Sequence, residues 1–172
     1  MSQQLDAAAL LNSVCEQLQQ RLQRQDISNP VMIGIHTGGV WVAEQLHQKL
    51  ALSDPLGHLD ISFYRDDFSR IGMNPQVKPS NIPFNIDNRH IILVDDVLYT
   101  GRTIRAALNE IFDYGRPASV SLAVLVERGG RELPIEASVS GAKLELASDE
   151  NIKLQGPEPL SLSIEKKTVK PQ

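Results

Sequence analysis

The segment that most constrains the fold runs from residue 90 to residue 114. It begins with the almost entirely apolar stretch HIILV at residues 90–94, which has the length and composition of a strand buried on both faces. Two adjacent acids follow, and beyond a turn that contains Gly101 a helical pattern runs to about Tyr114. Strands of this kind occur in parallel sheets covered by helices. The segment therefore predicts a strand–turn–helix unit in an α/β fold.

The rest of the chain repeats this alternation. Helical spacing of apolar residues predicts helices over 5–22 and 40–50. Short apolar or alternating runs predict strands at residues 31–35, 59–64, 90–94 and 119–126, edge strands at 138–140 and 160–164, and a brief edge pairing at 82–86. Because strands separated by helices pair in parallel with right-handed crossovers, we expect a single α/β domain over residues 1–172, with a central, mostly parallel sheet flanked by helices.

Composition excludes several classes of protein. The single cysteine, Cys15, allows neither a disulfide framework nor a four-cysteine zinc site, and its place on the apolar stripe of the first helix favours packing over chemistry. The 17 Lys and Arg residues against 21 Asp and Glu give a net charge of -4, which argues weakly against strong nucleic-acid binding. The sequence has neither an apolar run long enough for a membrane span nor a secretory signal, so we expect a cytoplasmic protein without membrane contact.

The unusual loops all follow predicted strands. They comprise residues 36–39, 65–81, 95–103 and 127–132. Ligands of parallel sheets bind beyond the carboxyl ends of the strands, where these loops should meet. We therefore expect one site at this edge of the sheet.

The loop at 95–103 has the chemistry of a site for a phosphorylated sugar. A helix N-terminus and the hydroxyls of Thr100 and Thr103 favour a phosphate, and Gly101 lets the backbone approach it closely. Asp95 and Asp96 would repel that phosphate and suit sugar hydroxyls or a magnesium ion instead. The alternative is that Thr100 only caps the helix and that the acids are solvated. It does not account for the ordered series of apolar strand, acid pair, hydroxyl- and glycine-containing turn and helix. The loop therefore predicts a site for a sugar 5′-phosphate.

Residues 91–103, IILVDDVLYTGRT, resemble the phosphoribosyl pyrophosphate (PRPP) motif of type I phosphoribosyltransferases. The segments IGIHTGG at 33–39, ISFYRDD at 61–67 and YGRPASVSLAVLVERGGRELPIEA at 114–137 are similar to the PyrR family. PyrR proteins regulate pyrimidine genes and also have uracil phosphoribosyltransferase activity. The resemblance covers roughly residues 5–140 and implies the type I phosphoribosyltransferase fold.

The resemblance also implies how PRPP is bound. Asp95 and Asp96 would bind the ribose hydroxyls. The 5′-phosphate would lie in the turn formed by Tyr99, Thr100, Gly101, Arg102 and Thr103. The pyrophosphate would lie against His36, Thr37, Gly38 and Gly39. Family members often carry a Lys-Thr-Arg-Gly pattern in that last loop, and the absence of its two cations here predicts slower turnover.

Further roles follow from the same resemblance. Arg65 and Asp66 open a flexible lid over residues 65–81, a small hood covers about 127–160, and 166–172 is a tail. Val126 and Arg128 would bind the base. Tyr99 replaces an aspartate of purine-salvage relatives, which favours a pyrimidine. Asp95, Asp96, Arg128 and Arg65 are the implied catalytic residues, and Asp95, Asp96 and Asp66 are the implied ligands of a Mg²⁺ ion bound with PRPP.

The function implied is transfer of the phosphoribosyl group from PRPP to uracil, giving UMP and pyrophosphate, by a homodimer or homotetramer. One alternative is a UMP-sensing attenuation regulator that binds pyr mRNA and keeps only residual catalysis, and another is a phosphoribosyltransferase for a different base. RNA binding has weak support, because residues 1–30 hold two arginines, Arg21 and Arg24, against three acids, and Glu136 stands where attenuators tend to carry a basic residue.

Overall fold

The structure is a computed structural model, and it describes residues 3–61 and 80–168. Its helices are α1 (Ala7–Arg24), α2 (Gly38–Leu50) and α3 (Arg102–Tyr114). Its strands are β1 (Gln3–Leu5), β2 (Val31–Ile35), β3 (Gly57–Leu59), β4 (His90–Leu98), β5 (Ser119–Arg128), β6 (Val139–Leu144), β7 (Glu150–Gln155) and β8 (Ser161–Lys166). No helix within the described ranges is long and apolar enough to cross a membrane.

Five strands form the central sheet in the order β3-β2-β4-β5-β6, and every neighbouring pair is parallel. The predicted α/β architecture is therefore confirmed. The central strand is β4, whose residues alternate between two buried cores. Ile92 and Val94 pack with α1 and α2, whereas Ile91 and Leu93 pack with α3. Burial on both faces explains why this strand is an unbroken apolar run.

Strands β4 and β5 are longer than their apolar runs predict. Pairing between them continues past the acids, as far as Leu98 opposite Glu127. The ladder hydrogen bonds of the backbone do not depend on side-chain polarity, so the sheet extends beyond its apolar core. This extension carries the acid pair, and Arg128 at the end of β5, to the same edge of the sheet.

A second sheet, antiparallel and three-stranded, has the order β1-β8-β7 and is called the small sheet below. The sequence predicted neither β1 nor β7, and the prediction that residues 160–164 form an edge strand is wrong because β8 lies between them. Helix α1 begins two residues later than predicted, since Gln3–Leu5 pair with β8. Asp6 then caps the helix by accepting a 3.0 Å hydrogen bond from the N–H of Ala9.

Two other predicted segments differ from the structure. The predicted strand at 59–64 is observed as β3 at Gly57–Leu59, and residues 62–64 lie outside the described part. Residues 82–86 form no strand. Instead, Asn81 makes an isolated bridge with His58 just before them. Pro83 within this segment lacks the N–H that a continuous ladder needs.

Cys15 lies in the core between α1 and the sheet, as its place on the apolar stripe predicts. Burial raises the pKa of its thiol, which disfavours the reactive thiolate. The residue therefore packs as a small apolar side chain.

Candidate active site

The acid pair at the end of β4 lies directly against the turn that follows β2. A Cβ atom added to Gly39 would lie 2.7 Å from the carbonyl oxygen of Val94 and 3.1 Å from Asp95 Oδ1. A Cβ atom added to Gly38 would lie 2.5 Å from Asp96 Oδ2. The predicted pyrophosphate loop, residues 36–39, is called the glycine loop below, and it is a neighbour of the predicted ribose ligands. This close approach requires residues without side chains at positions 38 and 39.

The two carboxylates are held differently. Asp95 is 6% exposed, and its Oδ1 accepts a 2.9 Å hydrogen bond from the N–H of Asp96. Asp96 is partly exposed, and its Oδ1 accepts a 2.9 Å bond from the N–H of Val97. These local bonds fix the direction of both carboxylates. Asp95 is largely enclosed in the fold, whereas Asp96 has its second oxygen towards the glycine loop.

The remaining residues of the glycine loop, His36 and Thr37, lie between β2 and α2. His36 follows β2, and its N–H donates a 2.8 Å bond to the carbonyl oxygen of Leu59 at the end of β3. Its ring makes an edge contact with the ring of His58, with 5.3 Å between centroids. The His36–Thr37 peptide bond is cis, and Thr37 is the exposed N-cap residue of α2. The loop therefore presents a helix N-terminus beside the acids.

Residues 100–103 of the predicted turn, called the phosphate turn below, lead into α3, and Tyr99 precedes them. Gly101 is the N-cap of α3 and has a φ of 95°, a conformation that favours glycine. The side-chain oxygen of Thr100 accepts a 3.2 Å bond from the N–H of Arg102, and Thr103 lies in the first turn of the helix. The positive end of the helix dipole therefore points out of this turn, as an anion site requires.

The loop after β5, residues 129–137, packs on the phosphate turn and is called the post-β5 loop below. The carbonyl oxygen of Thr100 accepts bonds from the N–H groups of Glu132, at 2.9 Å, and Leu133, at 3.1 Å. Glu132 also forms a 3.2 Å ion pair with Arg102. A Cβ atom on Gly101 would lie 3.1 Å from a side-chain carbon of Ile135. This loop fixes the shape of the turn.

Arg128 joins the phosphate turn to the small sheet. It is 8% exposed, and its guanidinium carbon lies 4.1 Å from the centre of the Tyr99 ring. Its Nη1 donates a long, 3.5 Å bond to the carbonyl oxygen of Glu150 in β7. Val126, two residues earlier in β5 and also predicted to bind the base, is fully buried in the core. The structure thus brings Arg128 and Tyr99 together at the edge that holds the acid pair.

Ionic contacts surround this pair. Arg131 Nη1 donates to the carbonyl oxygen of Tyr99, and its Nη2 lies 3.5 Å from Glu127 Oε1. Ser140 donates a 2.9 Å bond to Glu127, and Lys143 lies 3.9 Å from the same carboxylate. The sequence predicted a functional loop here but missed the contact made by Glu150, because nothing in the sequence indicates β7 or its position.

The predicted lid, residues 65–81, falls largely outside the described residues, as do Arg65 and Asp66. Residues that flank it are described. The N–H of Asp60 donates a 3.0 Å bond to the hydroxyl of Ser80, which donates a 2.8 Å bond to Glu110 of α3. His58 and Asn81 exchange two backbone bonds of 2.8 Å. The two flanks are therefore joined to each other and to α3.

The described residues contain no group of three or more His, Cys, Asp or Glu side chains arranged to hold a metal ion. Mg²⁺ does not need such a cage, because it is commonly held by one or two carboxylates, substrate phosphates and water. The partly exposed carboxylate of Asp96 beside the glycine loop fits this kind of site, and Asp95 is adjacent to it.

A cavity of about 710 Å³ lies between the post-β5 loop and β6. It is lined by charged residues of both signs, among them Arg131, Glu136 and Lys143, which belong to the predicted hood, and by none of the individual residues predicted to bind PRPP, the base or Mg²⁺. The sequence did not predict it. The acid pair, the glycine loop and the phosphate turn are not among its lining residues.

Fold and site together define a phosphoribosyltransferase: a parallel sheet whose strand ends bring an acid pair, a glycine loop and a phosphate turn to one edge. The family model for the phosphoribosyl transferase domain matches residues 1–161. Proteins named bifunctional protein PyrR are 64% identical over 163 residues in Nitrosococcus oceani, covering 94% of this chain and 92% of that one, and 56% identical over 160 residues in Pseudomonas savastanoi, covering 93% and 94%. The chain belongs to the phosphoribosyltransferase family and, within it, to the PyrR proteins.

Solved structures support the fold. A hypoxanthine-guanine phosphoribosyltransferase of Bacillus anthracis superposes with a TM-score of 0.67 at 16% identity, covering 93% of this chain and 95% of that chain. At this identity the similarity concerns the backbone arrangement, so the base that this chain uses must be argued from its own side chains.

Proposed function

We propose that this protein transfers the 5-phosphoribosyl group from PRPP to N1 of uracil, giving UMP and pyrophosphate. The observation that carries the proposal is the contact between the glycine loop and the acid pair, which places Gly38 against Asp96. Ribose and pyrophosphate are bonded to each other in PRPP, so their binding groups must be adjacent. The phosphate turn follows the acids by four residues, close enough to take the other end of the same molecule.

PRPP lies along this edge of the sheet. Its 5′-phosphate accepts hydrogen bonds at the N-terminus of α3, around Thr100, Gly101, Arg102 and Thr103. Asp96 and Asp95 accept hydrogen bonds from the ribose hydroxyls. The pyrophosphate lies on the backbone of His36, Thr37, Gly38 and Gly39, at the start of α2. In this loop a dipole and backbone N–H groups replace the cationic side chains of other family members.

In the reaction the bond from C1′ to the pyrophosphate oxygen breaks and the bond from C1′ to uracil N1 forms. Positive charge develops on the ribose and negative charge on the leaving group. The carboxylates of Asp95 and Asp96 stabilise the first, and the N-terminus of α2 stabilises the second. Asp96, together with oxygens of PRPP, would hold a Mg²⁺ ion, which when bound would neutralise charge on the leaving group.

Arg128 is the group that recognises the base. Its guanidinium donates to a uracil carbonyl, which withdraws electrons from the ring and favours loss of the N1 proton to the leaving pyrophosphate or to water. Tyr99 carries a neutral phenol and no carboxylate, so it lacks the charged acceptor that a carboxylate offers to the ring N–H of a purine. These two side chains favour a pyrimidine over hypoxanthine or guanine.

Other parts of the proposal rest on the family resemblance. Residues 65–81, including Arg65 and Asp66, form the lid that excludes water from the reacting ribose, and residues 127–160 form the hood over the base. The protein acts in the cytoplasm, where its nucleotide substrates occur, as a homodimer or homotetramer.

A regulatory role is the second candidate, and the name of the relatives, bifunctional protein PyrR, favours it. UMP would bind in the same pocket and control binding to RNA. Two arginines that could contact RNA are engaged within the fold, since Arg21 donates a 3.2 Å bond to Ser121 and Arg131 contacts Glu127 and Tyr99, whereas Arg24 is exposed. We therefore rank catalysis first.

The test is a panel of bases at fixed PRPP and Mg²⁺, with the nucleotide product separated by chromatography. Uracil, cytosine, hypoxanthine and guanine are compared, and Asp96→Asn serves as the site control. UMP formation from uracil that falls strongly in Asp96→Asn supports the proposal. Exclusive use of a purine would reassign the base, and UMP binding without any product would make regulation the primary function.

A further inference from the structure

Arg128 is a buried cation with few hydrogen bonds. It is 8% exposed, and its Nε atom is buried without a hydrogen-bond partner in the described structure. Its bond to the carbonyl oxygen of Glu150, at 3.5 Å, is at the limit of hydrogen-bond length. Hydrogen bonds of this kind do not fix the plane of a guanidinium. The contact that does so is the face of the Tyr99 ring, 4.1 Å from the guanidinium carbon.

The Tyr99 ring is itself held in place. Its backbone carbonyl accepts a bond from Arg131, and the post-β5 loop passes alongside the ring. Gly130 has a φ of 114°, and a Cβ atom there would lie 2.6 Å from Tyr99 Cε2. The ring therefore occupies space that any side chain at position 130 would take. Loop and ring together form a rigid support for Arg128.

We infer that Tyr99 is a positioning residue: its ring orients the Arg128 guanidinium towards the base, and it is not itself a ligand of the 5′-phosphate. The inference rests on the proposed function of Arg128. Since Tyr99 immediately precedes the phosphate turn, the same stretch of backbone sets both the phosphate site and the direction of the base-recognising group. The contact between the Tyr99 ring and the Arg128 guanidinium thereby links base selectivity to the PRPP motif.

The test uses Tyr99→Leu, which removes the ring, and Tyr99→Phe, which keeps the ring and removes the hydroxyl. Tyr114→Leu, at the far end of α3, is the matched control, because Tyr114 is 50% exposed and Tyr99 is 46% exposed. We expect Tyr99→Leu to raise the KM for uracil about tenfold while the KM for PRPP changes less than about twofold, as loss of a desolvated cation–π contact predicts. Tyr99→Phe keeps the ring face, so its KM for uracil should stay closer to the wild-type value than that of Tyr99→Leu, and Tyr114→Leu should leave both KM values unchanged.

Equal effects on both KM values would instead place Tyr99 in the phosphate site and overturn the inference. So would a Tyr99→Phe variant as impaired as Tyr99→Leu, since the hydroxyl and not the ring face would then matter. Thermal unfolding of each variant identifies any loss of the fold.

Failure of the proposed function is recognised separately, from the wild type. If the wild type makes no UMP, calorimetric binding of UMP and of ribose 5-phosphate replaces the kinetic measurement. Weaker binding of UMP but not of ribose 5-phosphate in Tyr99→Leu supports the inference without catalysis. Unchanged UMP binding overturns it, and a wild type that does not bind UMP overturns both proposals.

Discussion

Gly38 and Asp96 are so close that a side chain on the first would displace the second. A Cβ atom on Gly38 would lie 2.5 Å from Asp96 Oδ2, far inside normal contact distance, and 3.3 Å from a methyl carbon of Leu154 in the small sheet. A side chain at position 38 would therefore meet both the Asp96 carboxylate and the Leu154 side chain. A cationic side chain at position 38 would therefore displace the Asp96 carboxylate from its present position.

This contact predicts the outcome of restoring the family pattern. We expect Gly38→Arg and Gly38→Ala to lower PRPP affinity, because either side chain moves the Asp96 carboxylate. His36→Lys alone adds a charge without that contact and should strengthen pyrophosphate binding. Calorimetric titration with PRPP and with pyrophosphate, both with Mg²⁺, measures this. A Gly38→Arg variant with higher affinity than the wild type would show that the loop rearranges.

The two acids should differ when each is changed to asparagine. Asp96→Asn should weaken PRPP binding by roughly 1.5–3 kcal/mol and leave the free energy of unfolding unchanged, since Asp96 is partly exposed. Asp95→Asn should also reduce stability, by about 1–3 kcal/mol, because Asp95 is 6% exposed and bonded to the backbone. Urea denaturation and PRPP titration separate the two effects. Normal PRPP binding by both variants would exclude them as ribose ligands.

Gly101→Ala should damage both the fold and the phosphate turn. The φ of 95° costs about 1–2 kcal/mol for a residue with a Cβ atom, and that atom would press on Ile135. We expect a lower unfolding temperature and weaker binding of ribose 5-phosphate. The double variant Gly101→Ala with Ile135→Ala relieves the contact but not the backbone strain, so only partial recovery is expected. Full recovery would attribute the whole effect to the contact.

The Cys15 thiol should react slowly with thiol reagents in the native protein and rapidly in urea. Its pKa is raised above the ordinary value of 9.0 by burial, so the folded state favours the neutral thiol. The buried neutral thiol therefore contributes fully to the free energy of unfolding below about pH 9. This contribution is lost as the pH rises through the folded-state pKa of the thiol. Unfolding free energies measured from pH 7 to about 11 should therefore fall more in the wild type than in Cys15→Ala. Parallel curves would show that the thiol does not contribute.

RNA that carries a pyrimidine-operon leader should bind with an affinity of about 10⁻⁴–10⁻⁶ M at physiological salt, close to non-specific binding. The net charge is -4, and Arg21 and Arg131 are engaged within the fold. Filter binding at several salt concentrations, with and without UMP, measures this, and a scrambled RNA is the control. Nanomolar binding that depends on UMP would make regulation the main function.

The sequence by itself determined the parts of this protein that depend on neighbouring residues. The apolar run before Asp95 predicts a buried strand, and the Thr100–Thr103 turn predicts a helix N-terminus, because backbone conformation and burial pattern are local properties. The parallel order of the central sheet follows from the alternation of such units. These local patterns were sufficient for the fold class and for the edge of the sheet at which the site lies.

The tertiary structure decided the contacts between residues far apart in the chain. Gly38 lies against Asp96, and Arg128 is placed between Tyr99 and Glu150, through pairing of β4 with both β2 and β5 and through the small sheet. β1 and β7 are short and largely polar, so their strand conformation depends on pairing with β8 and not on their own composition. Distances of this kind depend on packing across the whole molecule, and no local sequence pattern encodes them.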